Sequence, residues 1–368
     1  MKQRLQRSLV IKPFSHVLKT PIASSLTYNW NVGSMLGIVL ILQIVTGLLL
    51  VIAYTNDASI SFQSVEYIIR EIQRGWILRI SHLNGASFLL VGLYYHIGRG
   101  LLYSSFRLWK VWSTGILLYL IIIGEAFLGY VLLWGQIRVW GAAVITSLVS
   151  VVPFVGESLV LWIWGGFIVN SATLKCFFIL HYLIPLVVLV IVILHILFLH
   201  ETGRTSSRGS IDSELKVKLH PFYIYKDSLN ILFFGIFYLI CFLYPFSLGD
   251  CENLKEANLM SSPVHIQPEW YLLFIYAILR AIPNKLGGVV ALLIRIVVVW
   301  ALIFISWNFQ RNYLKMNSHI LRWFIVVVLL LTWLGRCPVE YPFVTIGQVC
   351  TVTYLVIVFI LFLIRFIL

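Results

Sequence analysis

Long apolar runs separated by short polar segments dominate the chain. The longest uncharged runs lie between Lys19 and Asp57, Arg79 and Arg99, Lys175 and Glu201, Asp227 and Asp250, and Glu340 and Arg365. A helix that crosses a bilayer needs about 20 predominantly apolar residues. Lipid also accepts only backbone whose polar groups are bonded internally. The pattern therefore predicts an all-α polytopic membrane protein.

Eight transmembrane helices are predicted, which we label spans A to H. They cover residues 32–53, 77–103, 113–134, 173–200, 229–246, 288–308, 319–335 and 345–367. The segment 139–170 is also apolar, but Pro153, Gly156 and Glu157 divide it into two short pieces. We predict a hairpin on the membrane surface there, and the alternative is a further span.

The distribution of charge indicates the topology. The chain has 60% hydrophobic and 11% charged residues and a net charge of +13, whereas soluble domains carry about 25% charged residues. Of the 27 Lys and Arg, 17 lie in the N-terminal segment, the B–C, D–E and F–G loops and the C terminus. Nine lie on the other side, and Arg295 is within span F. By the positive-inside rule, both termini lie inside. Lipid is the predicted partner of this charge, and nucleic acid is not.

Two histidine pairs share one interval. His82 and His96 of span B are fourteen residues apart, as are His181 and His195 of span D. Fourteen helical residues return a side chain to within about 40° of its direction, about 21 Å further along the axis. Because spans B and D run the same way, His82 lies level with His181 and His96 level with His195. We call these the outer pair and the inner pair.

Two imidazoles at each level suit haem iron better than zinc. Zinc takes four protein or water ligands, whereas haem supplies four nitrogens and needs two axial ligands, an arrangement typical of electron transfer. The five cysteines show no CxxC or CxxCH spacing, so covalent haem attachment is not indicated and buried free thiols are predicted. A four-helix bundle of spans A to D would thus hold two non-covalent b-type haems. The alternative for a single membrane histidine is a hydrogen-bonded core residue.

Glycines repeat the same interval in the neighbouring spans. Gly33 and Gly47 lie in span A, and Gly115 and Gly129 lie in span C. Since these spans run opposite to B and D, Gly47 and Gly129 should lie level with the outer pair, and Gly33 and Gly115 with the inner pair. A missing side chain leaves room for close approach. The alternative is ordinary packing through small residues.

Arginines flank the two histidines of span B. Arg79 lies three residues before His82, and Arg99 lies three residues after His96. Guanidinium groups pair well with carboxylates, so we predict that both bind haem propionates. The alternative is that they are flanking charges that extend to the membrane interface.

Specific motifs carry a family resemblance. They include GWILRISHLNGASFLLVGLYYHIGRG, GYVLLWGQIRVWGAAVIT, HYLIP, HILFLHETG, HPFYIYKD, PEWYLLFIYAILRAIPNKLGG and PVEYPFVTIGQ. With them the chain resembles cytochrome b of the quinol:cytochrome c oxidoreductases, respiratory complex III, over nearly its whole length. The chloroplast relative fits less well, because its two halves are separate chains and its second histidine pair is one residue wider.

The resemblance implies a quinone cycle coupled to proton translocation. Quinol is oxidised at an outer site, where one electron leaves to a Rieske iron–sulphur protein. The other electron crosses through a low-potential outer haem and a high-potential inner haem to reduce quinone. The implied partners are the Rieske protein, a c-type cytochrome, other complex III subunits and a second copy of the chain.

The resemblance also implies two quinone sites. At the outer site Glu269 is the predicted proton acceptor, and the other residues are Pro268, Tyr271, Tyr130 and Gly141. At the inner site the predicted residues are His200, Asp227, Lys226, Asn31 and Ser34. The alternatives are a surface carboxylate for Glu269 and a histidine that caps a helix end for His200.

Three residues depart from the family pattern. Arg204 stands where a small hydroxyl residue is usual, and Leu133 replaces a proline, which predicts a less abrupt end to span C. Glu125 lies within span C, where a small uncharged residue is usual. Ionisable groups inside a membrane are costly and typically functional, so we expect Glu125 to be protonated or to have a buried partner. A structural hydrogen bond is the alternative.

Two other functions remain open from the residues alone. One is the membrane subunit of another b-haem oxidoreductase, such as a hydrogenase or formate dehydrogenase anchor, and the other is a proton or metal transporter. We predict two parts, the haem-binding bundle at 1–205 and the PEWY part at 206–368. The predicted location is the mitochondrial inner membrane, with no cleavable leader and both termini on the matrix side. A bacterial plasma membrane is the alternative.

Overall fold

The computed structural model describes residues 18–204, 216–304 and 311–367. The N-terminal segment, whose basic residues and Pro13 predict an amphipathic stretch on the membrane surface, falls mostly outside these ranges. Within them, eight helices are long and apolar enough to cross a membrane, which confirms spans A to H. The structure places short helices in the connections.

Thirteen α-helices lie in the described ranges. The first seven are α1 (Val32–Val51), α2 (Ser61–Arg70), α3 (Gly75–Leu102), α4 (Trp109–Val131), α5 (Gln136–Ser147), α6 (Gly156–Trp164) and α7 (Ser171–Thr202). The others are α8 (Ile224–Ser228), α9 (Asn230–Leu243), α10 (Leu273–Ala281), α11 (Lys285–Ala301), α12 (Arg311–Arg336) and α13 (Phe343–Ile367). Spans A to H correspond to α1, α3, α4, α7, α9, α11, α12 and α13.

Helices α1, α3, α4 and α7 form the bundle that places the histidines. Helix α1 packs along α3, and α4 packs along α7. Their shared core includes Val39, Leu90, Tyr119 and Val188. Helix α7 begins with a capping box in which the Asn170 side chain and Thr173 satisfy free backbone groups. This start fixes the register of α7 before its long apolar run.

A backbone turn follows the end of α4. The helix ends at Val131, and Trp134 has φ of 58°. A positive φ at a non-glycine residue is uncommon, and here it turns the chain into α5. The effect of Leu133 in place of a proline stays a prediction, and the backbone conformation of Trp134 marks where the run ends.

The segment predicted as a hairpin contains two short helices. Helices α5 and α6 are joined by a 3₁₀ turn at Leu148–Val151. Neither helix reaches spanning length, so the segment is not a ninth span. Phe154 and Trp162 are exposed between and along them.

The second half packs through α10 to α13. Its core includes Ala277, Ala291, Leu331 and Tyr354. A π-helical turn at Leu219–Tyr223 and the short helix α8 precede α9. Together they form one apolar segment, Leu219–Leu243, which begins ten residues before the predicted span E. The predicted helical fold is confirmed. The one addition in the described ranges is a short pair of strands, in which β1 (Pro21–Ala23) pairs antiparallel with β2 (Lys216–Lys218).

All five cysteines are free thiols, and the prediction that they are buried was only partly right. Cys241 and Cys350 are buried, Cys176 and Cys337 are intermediate, and Cys251 is exposed. Cys251 lies in a short 3₁₀ turn after α9 rather than in a span.

Candidate functional site

The structure brings each histidine pair together. The ring centres of His82 and His181 are 6.2 Å apart, and those of His96 and His195 are 6.5 Å apart. Two imidazoles on opposite sides of one ion, each with a metal–nitrogen bond of about 2.0–2.1 Å, have ring centres roughly 6 Å apart. Both pairs therefore have the spacing that a shared iron requires.

A glycine faces every one of these rings. A Cβ added at Gly47 would lie 3.0 Å from His82, and one at Gly129 only 2.4 Å from His181. At the inner pair, a Cβ at Gly33 would lie 3.3 Å from His96, and one at Gly115 3.2 Å from His195. The four glycines thus match the predicted levels, and the two outer positions are the tightest.

Threonine hydroxyls hold one ring at each level. Thr46 Oγ1 lies 3.0 Å from His82 Nδ1, and Thr114 Oγ1 lies 3.0 Å from His195 Nδ1. Both hydroxyls donate to backbone carbonyls of their own helices, so each accepts from the imidazole. This assignment leaves Nε2 as the nitrogen that can bind iron.

The two flanking arginines lie next to the pairs. Arg99 Nη2 is 3.4 Å from His96 Nδ1, and its guanidinium packs over the Trp30 ring at 5.2 Å. Arg79 lines the cavity beside the outer pair. Both cations are thus positioned for an anionic group bound at their level.

A cavity of about 240 Å³ lies at the outer level. Its walls carry both outer histidines, both outer glycines, Arg79, Glu125, Arg138, Tyr130, Tyr271 and Glu269. A smaller adjoining pocket is lined by all five predicted outer quinol residues: Tyr130, Gly141, Pro268, Glu269 and Tyr271. The histidine site and the predicted quinol site therefore adjoin.

Glu269 is buried beside the 3₁₀ turn Trp270–Leu272. Burial raises the pKa of its carboxyl to about 7, and Asp250 adds to the rise while Arg138 and Arg79 oppose it. A carboxyl that titrates near neutral pH can both accept and release a proton.

Hydrogen bonds join four of the five predicted inner residues. Ser34 Oγ donates to Asp227 Oδ1 at 2.8 Å, and Asn31 Nδ2 donates to the carbonyl of Lys226 at 2.7 Å. Asn230 Nδ2 donates to Ser34 Oγ at 3.1 Å. These hydrogen bonds connect the start of α1 to the segment 226–230.

The fifth predicted inner residue, His200, lies half-buried in the last turn of α7. Arg204 follows two residues beyond this helix. Burial lowers the pKa of the Arg204 guanidinium, and the nearby Asp227 carboxylate opposes that shift. Arg204 is therefore close enough to Asp227 to influence the predicted inner site.

Comparisons with known proteins agree with this architecture. The family model described as cytochrome b/b6/petB matches residues 17–203, and the one described as cytochrome b(C-terminal)/b6/petD matches residues 256–355. Cytochrome b of Caenorhabditis briggsae is 49% identical over 334 residues, covering 91% of this chain and 90% of the relative. Cytochrome b of Apis mellifera ligustica is 47% identical over 341 residues, covering 92% and 88%.

The chain belongs to the cytochrome b family.

A solved structure described as a hyperthermophilic respiratory Complex III superposes on the whole chain with a TM-score of 0.89 at 26% identity, covering 100% of both chains. The protein is thus the transmembrane electron-transfer subunit of a quinol:cytochrome c oxidoreductase. As a cytochrome b it binds b-type haem, interacts with quinone and works with other subunits of complex III. It is a multi-pass membrane protein.

Sequence reasoning missed Arg138, which lies next to the predicted outer quinol pocket. Its side chain is 3% exposed, and its guanidinium packs over the Tyr130 ring at 4.5 Å. In the described part of the chain its Nε has no hydrogen-bond acceptor. The available signal was a charged residue in the apolar GQIRVWG segment.

The threonine partners of His82 and His195 were also missed. Thr46 and Thr114 each directly precede a glycine that faces a histidine, Gly47 and Gly115. A hydroxyl beside the glycine of a predicted haem level was therefore visible in the sequence, but its direction depends on how α1 and α4 are rotated.

Proposed function

We propose that this cytochrome b holds two non-covalent b-type haems, with His82 and His181 as axial ligands of the outer one and His96 and His195 as ligands of the inner one. When bound, the haems would carry single electrons between the two membrane faces. The spacing of about 6 Å between ring centres in both pairs carries the proposal. The facing glycines give the rings room, and Arg79 and Arg99 would bind propionates.

The outer pocket would bind quinol for oxidation. Glu269 would accept a quinol proton, since its buried carboxyl has a pKa near neutrality. Tyr130, Tyr271, Pro268 and Gly141 would shape the pocket around the quinol ring. Glu269 is buried at this pocket, where only 9% of the residue is exposed.

The inner site would bind ubiquinone for reduction. Asp227 and His200 would deliver protons to its carbonyl oxygens, and Lys226, Asn31 and Ser34 would position them. Hydrogen bonds of Asn31 and Ser34 to the segment 226–230 support this assignment, because they hold both sides of the site together.

The proposed partners and location of the protein follow from the same function. A Rieske iron–sulphur protein would take one electron at the outer face, a c-type cytochrome would receive it, and the chain would work as a homodimer. We place it in the mitochondrial inner membrane with both termini on the matrix side. The animal relatives and the excess of Lys and Arg in loops on the side of the termini support this.

Optical spectra of the purified complex test the haem assignment. We expect two b-type haems per chain and split α-bands after reduction. His181→Ala should remove only the outer haem and His195→Ala only the inner one. The matched control is His265→Ala, because His265 is exposed in a loop. Retention of both haems after loss of His181 or His195 would refute the ligand assignment.

A further inference from the structure

Glu125 of α4 is an acidic residue against an outer haem ligand. Its Oε1 lies 2.6 Å from His181 Nδ1, and its backbone carbonyl oxygen lies 3.1 Å from the same nitrogen. The side chains of Glu125 and His181 are 15% and 22% exposed. The Nδ1–H group of His181 therefore faces two oxygens of one residue, one of them on a carboxyl group.

The other three histidines have different partners. Nδ1 of His82 and of His195 each contact a threonine hydroxyl, and Nδ1 of His96 lies near the Arg99 guanidinium. Among these four rings, only His181 has a carboxyl group in contact. The neighbourhoods of the two histidine pairs thus differ by one carboxyl group, although an arginine lies close to each pair.

Packing holds the carboxyl group at this ring. Glu125 precedes Gly129 by one helical turn, so both face the same ring. The clearance at Gly129 is the smallest of the four glycines, with 2.4 Å from an added Cβ to His181. In the described chain, neither carboxyl oxygen of Glu125 makes a hydrogen bond of regular geometry, so the approach of Oε1 to His181 Nδ1 is a close polar contact beside the hydrogen bond to the Glu125 carbonyl oxygen.

We propose that Glu125 is a positioning residue for the outer haem, which orients His181 through Nδ1 and lowers the reduction potential of the iron that this histidine binds. The proposal rests on the proposed function, because it requires His181 to be an axial ligand.

The physical basis is the response of a bound imidazole to its acceptor. An iron-bound histidine keeps its proton on Nδ1, and a carboxyl oxygen there makes the ring a stronger electron donor. Stronger donation stabilises the oxidised iron more than the reduced iron. Because the inner pair has no such carboxyl group, this contact would favour electron transfer from the outer level to the inner level when both haems are bound.

The test is a redox titration of the intact complex, in which optical spectra resolve both haems. Glu125→Gln keeps the size of the side chain but replaces the carboxyl group by an amide, and Glu125→Ala removes the contact with His181 altogether. We expect the outer potential to rise in both variants while the inner potential stays fixed. A roughly tenfold change in the one-electron equilibrium, about 59 mV, is the expected scale. The shape of the low-spin electron paramagnetic resonance signal of the outer haem should change too.

Thr114→Val is the matched control, because it removes a hydroxyl from His195 and should move the inner potential alone. If neither potential moves in the Glu125 variants, or both move equally, the proposal is wrong. Loss of the outer haem from Glu125→Gln would also overturn it, since Glu125 would then only hold the ligand. Failure of the proposed function is distinguishable, because His181→Ala would then retain both haems.

Discussion

At the scale of single residues, the interval of fourteen between histidines predicted their pairing, because a helix converts sequence spacing directly into side-chain direction and depth in the membrane. His82, His96, His181 and His195 could therefore be paired before any contact was known. Arg138 could not be assigned in this way, because its neighbours come from α4 and from the segment around Glu269, more than a hundred residues later. Such contacts depend on tertiary packing, which spacing does not encode.

Arg138 should set the pH range of quinol oxidation through Glu269. Its positive charge lowers the pKa of a carboxyl that burial raises to about 7. Glu269 must be deprotonated to accept a proton, so activity should fall as the pH drops through this pKa. Arg138→Gln removes the opposing charge, and the acid limb should move to higher pH. Rates measured from pH 5.5 to 9 test this, with Lys255→Gln as an exposed control.

An unchanged acid limb in Arg138→Gln would show that another group controls the pH dependence. Glu269→Gln provides the second measurement, since it should slow quinol oxidation while both haems remain bound. If its acid limb persists at the original pH, the titrating group is not Glu269.

At the scale of elements, the predicted spans were right in number, and their ends depend on local chemistry that hydropathy does not contain. Helix α4 ends at a backbone turn centred on Trp134, and α7 starts at the Asn170 cap. The β1–β2 pair joins Pro21–Ala23 to Lys216–Lys218. Three-residue strands nearly two hundred residues apart carry too little periodicity to be predicted.

Glycine positions along α4 provide a matched test of the bundle. Gly129→Ala places a methyl group 2.4 Å from the present His181 ring, whereas nothing lies within 4 Å of a Cβ at Gly124. We expect Gly129→Ala to displace the ring and lower the outer haem content. Gly124→Ala should retain it and stabilise the helix by up to about 1 kcal/mol.

Haem content per chain and the thermal denaturation midpoint measure the two effects. Equal outer haem content in the two variants would mean that α4 and α7 separate readily, and that close approach at Gly129 is not required.

At the scale of the whole molecule, the two halves share buried contacts. The family models match 17–203 and 256–355 separately, and the division at 205 remains a prediction. Yet Tyr271 of the second half lies in the core of the bundle, and Tyr94 Oη donates to its carbonyl at 2.7 Å. The sequence indicates two parts, but the surfaces that join them follow only from the packed helices.

A buried polar contact links α4 to α11 and therefore joins the two halves. Arg295 is 7% exposed within a span, and its Nη2 donates to Tyr119 Oη at 2.8 Å. Its guanidinium also packs over the Phe274 ring at 4.8 Å. Tyr119→Phe leaves a buried cation without its acceptor, which should cost about 1–3 kcal/mol. The measurement is the thermal denaturation midpoint of the solubilised complex.

The double variant Tyr119→Phe with Arg295→Met decides between a specific polar link and general packing. Replacing both members of a buried polar pair by apolar groups of similar size is often neutral or stabilising, because no uncompensated charge remains. We therefore expect the double variant to regain most of the stability lost by Tyr119→Phe. A double variant at least as unstable as the single one would mean that Arg295 stabilises the halves through its contacts with Phe274 and the surrounding aromatic rings rather than through Tyr119.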